Sequence, residues 1–112
     1  MFEVTKDNLN QFLKHELKMQ EQECEGDYWF DDVQAFCTPG FKNAFKDELL
    51  IIMTFALMKI NELEHPDYLQ VFYYNDIKFY VISDYDKSCT REWIKEQTGI
   101  GPYVTFLLPS EY

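Results

Sequence analysis

Ten consecutive residues, Leu49 to Met58, include one polar side chain, Thr54, and no charge. A helix on a protein surface shows a polar face every 3.6 residues. This run shows none, so it predicts a helix covered on nearly all sides, at the centre of the core. Thr38-Pro39-Gly40 supplies its start: Thr38 suits the N-cap, and Pro39 suits the first helical position, where its missing N–H has no partner to lose. The pattern runs on through Phe41, Ala44 and Phe45 to about Leu63, ahead of Pro66, and a break in it would fall near Asp47.

Upstream, Leu9, Phe12, Leu13 and Leu17 fall at i, i+3, i+4 and i+8. That spacing makes one apolar stripe and predicts a helix from a Thr5 N-cap to about Glu23, with Val4 and Leu9 as a hydrophobic staple and Gly26 as the stop. Met1 to Val4 reads as a short strand or an extended lead-in. Between Asp27 and Cys37 the pattern fits a short helix whose inner face is Phe30, Val33 and Cys37, while an irregular or extended path fits the same residues.

After Pro66 the period changes to two. Tyr68–Tyr74 and Ile77–Ser83 are rich in aromatic and β-branched residues, and Asn75-Asp76 between them suits a type I′ turn, so the stretch predicts a β-hairpin. With that two-residue loop, Tyr74 faces Ile77, Phe72 faces Phe79 and Gln70 faces Val81 on the better core surface. The other surface pairs Tyr73 with Lys78, Val71 with Tyr80 and Leu69 with Ile82. Further on, Ser88 or Thr90 caps a short helix carrying Trp93 and Ile94 that ends at Gly99, and Tyr103–Leu108 reads as a third strand. The order describes one α+β domain over residues 1–112, with two or three helices, one long and central, packed on a small antiparallel sheet that contains the hairpin.

Composition narrows the function. At 112 residues with 46% hydrophobic and 18% aromatic side chains, the chain can bury a core without staples. The ten-residue apolar run falls short of the roughly 20 needed to span a bilayer, and no basic flank marks a signal peptide, so a cytoplasmic protein without membrane contact is expected. The three cysteines, Cys24, Cys37 and Cys89, fit no CxxC module; reduced thiols are the simpler reading, against a zinc site made with His65. Signatures of serine hydrolases, zinc proteases, P-loop proteins and dinucleotide-binding folds are missing, since Gly99-Ile100-Gly101-Pro102 lacks a third glycine and precedes a strand. His65 suits a helix C-terminus and Cys89 an inert thiol. No enzyme activity, metal or cofactor is expected.

The formal net charge is −10, and Arg91 is the one arginine. Phosphate contacts need clustered Lys and Arg, so direct nucleic-acid binding is not expected, and a basic partner is favoured. The excess concentrates in Glu21, Glu23, Glu25, Asp27, Asp31 and Asp32, six carboxylates in twelve residues with no base among them. Such a block is tolerated as solvated surface, and it can also present a row of negative charge to a Lys/Arg-rich groove, imitating nucleic-acid phosphates. Trp29, with Tyr28 and Phe30, would supply aromatic anchors there or pack in the core. Tyr73 and Tyr80 mark a second candidate surface on the hairpin, suited to a homodimer.

Asp67–Phe72, Lys78–Asp84 and Val104–Tyr112 resemble segments of small uncharacterised acidic proteins of Gram-positive bacteria, their phages and other mobile elements. The resemblance covers about a fifth of the chain, implies a mobile-element setting and carries no catalytic residues across. Charge, size and this resemblance lead to three expectations. The first is an inhibitor of a basic host defence nuclease, of the anti-CRISPR or anti-restriction type, acting as a nucleic-acid mimic. The second is an immunity protein against a nuclease toxin, and the third a self-associating structural module.

Overall fold

The computed structural model describes residues 13–21 and 26–112. Five strands form one sheet in the order β1-β3-β4-β5-β2, with β1 Leu17–Met19, β2 Gln34–Cys37, β3 Leu69–Tyr74, β4 Ile77–Ser83 and β5 Tyr103–Leu107. Antiparallel pairings join β1 to β3, β3 to β4 and β4 to β5, whereas β2 runs parallel to β5. The sheet is therefore mixed, a correction to the antiparallel sheet expected, and β2, β3 and β5 share one direction.

One helical rod, residues 39–60, connects β2 to β3 and crosses the sheet. It consists of α1, Pro39–Phe45, and α2, Leu49–Ile60, separated by a 3-10 turn at Lys46–Glu48 where Lys46 takes φ 45°. Thr38 caps α1, its Oγ1 accepting from the Phe41 N–H at 3.3 Å. The break falls beside Asp47, and the rod stops at Ile60, three residues before the expected end. Coverage of α2 is less complete than its composition implies. Ile52, Met53, Phe55, Ala56 and Ile60 are buried, but Leu50 is 73% exposed and Thr54 faces solvent, its hydroxyl bonded back to the Leu50 carbonyl.

The hairpin has the expected register, Tyr74 opposite Ile77, Phe72 opposite Phe79 and Gln70 opposite Val81. Asn75 and Asp76 both take positive φ, 51° and 64°, as a type I′ turn requires. The core lies between this face of the sheet and the rod. Phe72 and Phe79 stack with ring centres 5.3 Å apart, and Phe41 sits 5.1 Å from Phe79 and 5.4 Å from Phe106. The short helix α3, Arg91–Thr98, starts at the Thr90 cap and ends on Gly99 at φ 84°.

Two expected helices are not helical over their described residues, and the second stretch takes the irregular and extended path that its residues also fit. Of the helix from Thr5 to Glu23, and of the lead-in before it, residues 1–12 and 22–25 lie outside the described residues, and the remainder is non-helical, with a bend at Lys14 and His15 followed by β1. Leu17 packs at 3% exposure opposite Tyr74, and β3 gains a partner along its free side. Backbone pairing and burial outweigh the helical spacing of the leucines. Between Asp27 and Cys37 the chain is irregular and then enters β2. Phe30 is drawn to 1% exposure, Asp32 turns the chain at φ 51°, and Gln34–Cys37 complete the ladder of β5. Among the described residues, the one long helical rod packs on the sheet, fewer than the two or three helices expected there. No helix among the described residues is long and apolar enough to cross a membrane.

Candidate interaction surface

The stretch from Gln20 to Val33 leads from one edge of the sheet, β1, to the other, β2. It passes the end where β3 begins and β4 finishes. The Gln20 N–H donates to the Val71 carbonyl at 2.9 Å and continues the β1 pairing. After the undescribed 22–25, Gly26 lies so close to Asp67 that a Cβ there would sit 2.7 Å from the Asp67 Cα, which leaves room for glycine alone. Next, the Tyr28 N–H donates to the Pro66 carbonyl at 3.0 Å, and the Trp29 N–H to the Tyr85 carbonyl at 3.2 Å. Phe30 enters the core, and its carbonyl accepts from the Asn61 side-chain amide at 3.1 Å. Four hydrogen bonds tie the described residues of this strap to β3, the segment between α2 and β3, and the loop after β4, so Asp27, Asp31 and Asp32 do not sit on a free loop.

Asp27, Trp29, Asp31 and Asp32 come together against the 84–91 loop. The Lys87 N–H donates to the Asp27 carbonyl at 2.8 Å, and the Trp29 indole N–H donates to the Cys89 carbonyl at 2.9 Å. Arg91 reaches back across sixty residues, its guanidinium donating to the main-chain carbonyls of Asp32 at 2.7 Å and Asp31 at 2.8 Å. Lys87 pairs with the Asp31 carboxylate at 3.0 Å, and both cations lie over the Trp29 ring, at 5.2 and 4.3 Å. Burial raises the Asp31 carboxyl's pKa, but the Lys87 hydrogen bond and charge more than offset this and hold it below its ordinary value. The block without a base in sequence thus carries two bases in space. Asp32 keeps its carboxylate in solvent, 3.8 Å from Arg91.

Other acids join these from outside the block. Asp67 precedes β3, and Asp84 and Asp86 follow β4 at the same end of the sheet. Asp27, Asp67 and Asp86 line a cleft of about 470 Å³ together with Gly26, Tyr28, Lys87 and Ser88. The Asp86 carboxylate accepts from the Ser88 N–H and hydroxyl, which holds it below its ordinary pKa. Asp84 accepts from the Tyr103 hydroxyl at 2.7 Å, and this bond, with partial burial, pushes the phenol up to about 12. The two aspartates flanking Tyr85 were the available sequence signal, but nothing local tied them to residues 27–32.

Two predicted residues, Tyr73 and Tyr80, stand apart from this end, whereas Glu21 lies toward it at the β1 edge of the sheet. Glu21 is exposed just beyond β1. Tyr73 and Tyr80 are half-buried on the sheet face turned away from the rod. The Tyr73 hydroxyl donates to the Gln20 side chain at 3.1 Å, and the Tyr80 ring packs edge-on against Tyr112 at 5.7 Å. Glu23 and Glu25 lie outside the described residues. Among the described residues no group of three or more His, Cys, Asp or Glu side chains is arranged to hold a metal ion. Trp29 is a tie between strap and loop, with its ring already occupied by two cations.

No family model matches the chain, and no curated protein or solved structure matches it either.

Proposed function

We propose that the chain is a non-enzymatic binding protein whose acidic strap docks on a basic, nucleic-acid-binding partner, and that it acts there as an inhibitor of a host defence nuclease. The observation that carries this reading is the fixed acidic end of the sheet. Asp27, Asp31 and Asp32 sit on a strap anchored by backbone hydrogen bonds, and Asp67, Asp84 and Asp86 stand at the same end. Preorganised charge loses less on binding than charge on a floppy loop, because less motion has to be frozen. The net charge of −10 draws a cationic groove toward it from a distance, and the cleft beside Asp27 and Asp86 can take a single Lys or Arg side chain of that groove.

The test is DNA cleavage by a panel of purified restriction and CRISPR nucleases, with the protein added at two salt concentrations. Inhibition of at least one nuclease at low salt is expected, weakened as ionic strength rises because exposed charge is screened within roughly 10 Å. Replacing Glu21, Asp27, Asp67 and Asp84 by their amides spares the ties of Lys87 and Arg91 to Asp31 and Asp32, and should weaken inhibition at least tenfold. Inhibition that ignores both salt and the amide variant would overturn charge mimicry, and a panel with no inhibited nuclease would overturn the target class.

A further inference from the structure

The two edges of the sheet are unlike. At β1, an edge among the described residues, Lys18 stands mid-strand with Glu16 and Glu21 near it, the kind of charge by which natural edge strands discourage pairing with another chain. At β2 the sequence from Val33 to Phe41 has no charge, and Gln34, Ala35 and Phe36 are all exposed, Phe36 at 46%. Among the described residues, the β2 backbone also has an open side. Gln34 and Thr38 donate their N–H groups to Pro102 and Phe106 of the β5 segment, at 3.1 and 3.0 Å. With the two-residue period of a strand, Phe36 faces β5 likewise, and Val33, Ala35 and Cys37 point their N–H and C=O groups outward. None of these outward groups has a backbone partner among the described residues.

We propose that this edge is a homodimer interface, β2 pairing antiparallel with β2 of a second copy about a two-fold axis at Ala35. The register follows from the outward groups. Ala35 opposite Ala35 exchanges two hydrogen bonds, and Val33 opposite Cys37 exchanges two more on each side of the axis, so every outward donor and acceptor is satisfied by an identical strand. Gln34 then faces Phe36 of the second copy as a non-hydrogen-bonded pair, on the sheet surface where Phe36 already meets Tyr103 at 5.9 Å. Charge agrees with a like-for-like edge. Two molecules of net charge −10 repel over most approaches, and this uncharged strip lets them meet with few carboxylates near the axis. Beyond the strip, Asp31 and Asp32 carry Lys87 and Arg91 against them. They approach an α1 start where Glu111 is already bound to Thr38 and Gly40, with Lys42 exposed just beyond, a mixture of signs and not a block of one. This surface is separate from the acidic cleft and does not depend on the nuclease reading.

The experiment is sedimentation equilibrium on the full chain over roughly 1–500 μM, the span that captures a weak interface. The expected mass rises with concentration from 13.5 kDa toward twice that value. Ala35→Pro removes one outward N–H without touching the bonds to β5, and should hold the mass at the monomer with an unchanged circular dichroism spectrum. Two double variants decide the register even if the proline disturbs folding. Gln34→Glu with Phe36→Glu places like charges opposite each other twice, while Gln34→Lys with Phe36→Glu places opposite charges there. The second should dimerise about tenfold more tightly than the first. A wild-type chain that stays monomeric throughout, or two doubles of equal affinity, would overturn the proposal.

Discussion

Arg91→Lys keeps the charge and should still loosen the strap. Arg91 makes two short hydrogen bonds to the Asp31 and Asp32 carbonyls, lies 4.3 Å from the Trp29 ring centre and pairs with Asp32 at 3.8 Å. A hydrogen bond involving a charged group contributes about 1.5–3 kcal/mol when well sheltered, and about half that here, since a third of the Arg91 side chain is exposed. The ring contact adds about 0.5–1 kcal/mol, and the ion pair adds little, because the Asp32 side chain is 93% exposed. Removing all of this with Arg91→Ala should cost about 2–4 kcal/mol. Lysine, a point charge without the planar fork, reaches one carbonyl and should lose about 1–2 kcal/mol. Because these contacts hold one segment, the loss should appear first as local opening. Amide exchange across residues 27–33 should speed up by roughly 30- to 900-fold for alanine and about 5- to 30-fold for lysine, while β3 and β4 amides change far less. If Arg91→Lys exchanges like the wild type at 27–33, the two-carbonyl clamp does not hold the strap.

Phe79→Ala removes a fully buried ring that touches Phe41, Phe45, Phe72 and Phe106, and should cost about 3–5 kcal/mol in urea melts; Phe36→Ala, at the exposed edge, should fall within about 0.5 kcal/mol of wild type. Acid should weaken the fold through carboxylates whose folded pKa lies below the unfolded one: Asp31, raised by burial but lowered further by Lys87, and Glu111, lowered by Thr38. Their stabilisation is present above the ordinary carboxylate value of about 4 and is lost as pH falls through the folded value. Urea midpoints between pH 7 and pH 3 should therefore drop, and Asp31→Asn should flatten the part that Asp31 contributes.

What could be read in the sequence had its cause nearby in the chain. Asn75-Asp76 specifies the hairpin turn by its own backbone preference, and Thr90 and Gly99 delimit α3 by contacts within one or two helical turns. Leu17 and Leu13 share a helical stripe, yet Leu17 is a strand residue because Tyr74 and Phe72 need a neighbour, and nothing beside Leu17 announces them. Val33 and Cys37 mislead similarly, since the partner that draws Gln34–Cys37 into the sheet is β5, far along the chain. At the candidate site, the carboxylates were visible as a run of letters. Their partial neutralisation was not, because Lys87 and Arg91 are brought to them only by the folded loop after β4.

The parallel pairing of β2 with β5 also sets an order of events during synthesis. The β3–β4 hairpin is made of neighbours and can close on its own, in microseconds once both strands exist. β2 leaves the ribosome long before β5 and has no place in the sheet until Tyr103–Leu107 arrive beside β4. During that interval an uncharged strand with both sides open sits next to an apolar helix still lacking its full cover. A nascent chain of this protein therefore passes through a window of vulnerability to β-pairing with its neighbours on the same message, and slowing elongation through residues 84–102 should lengthen that window.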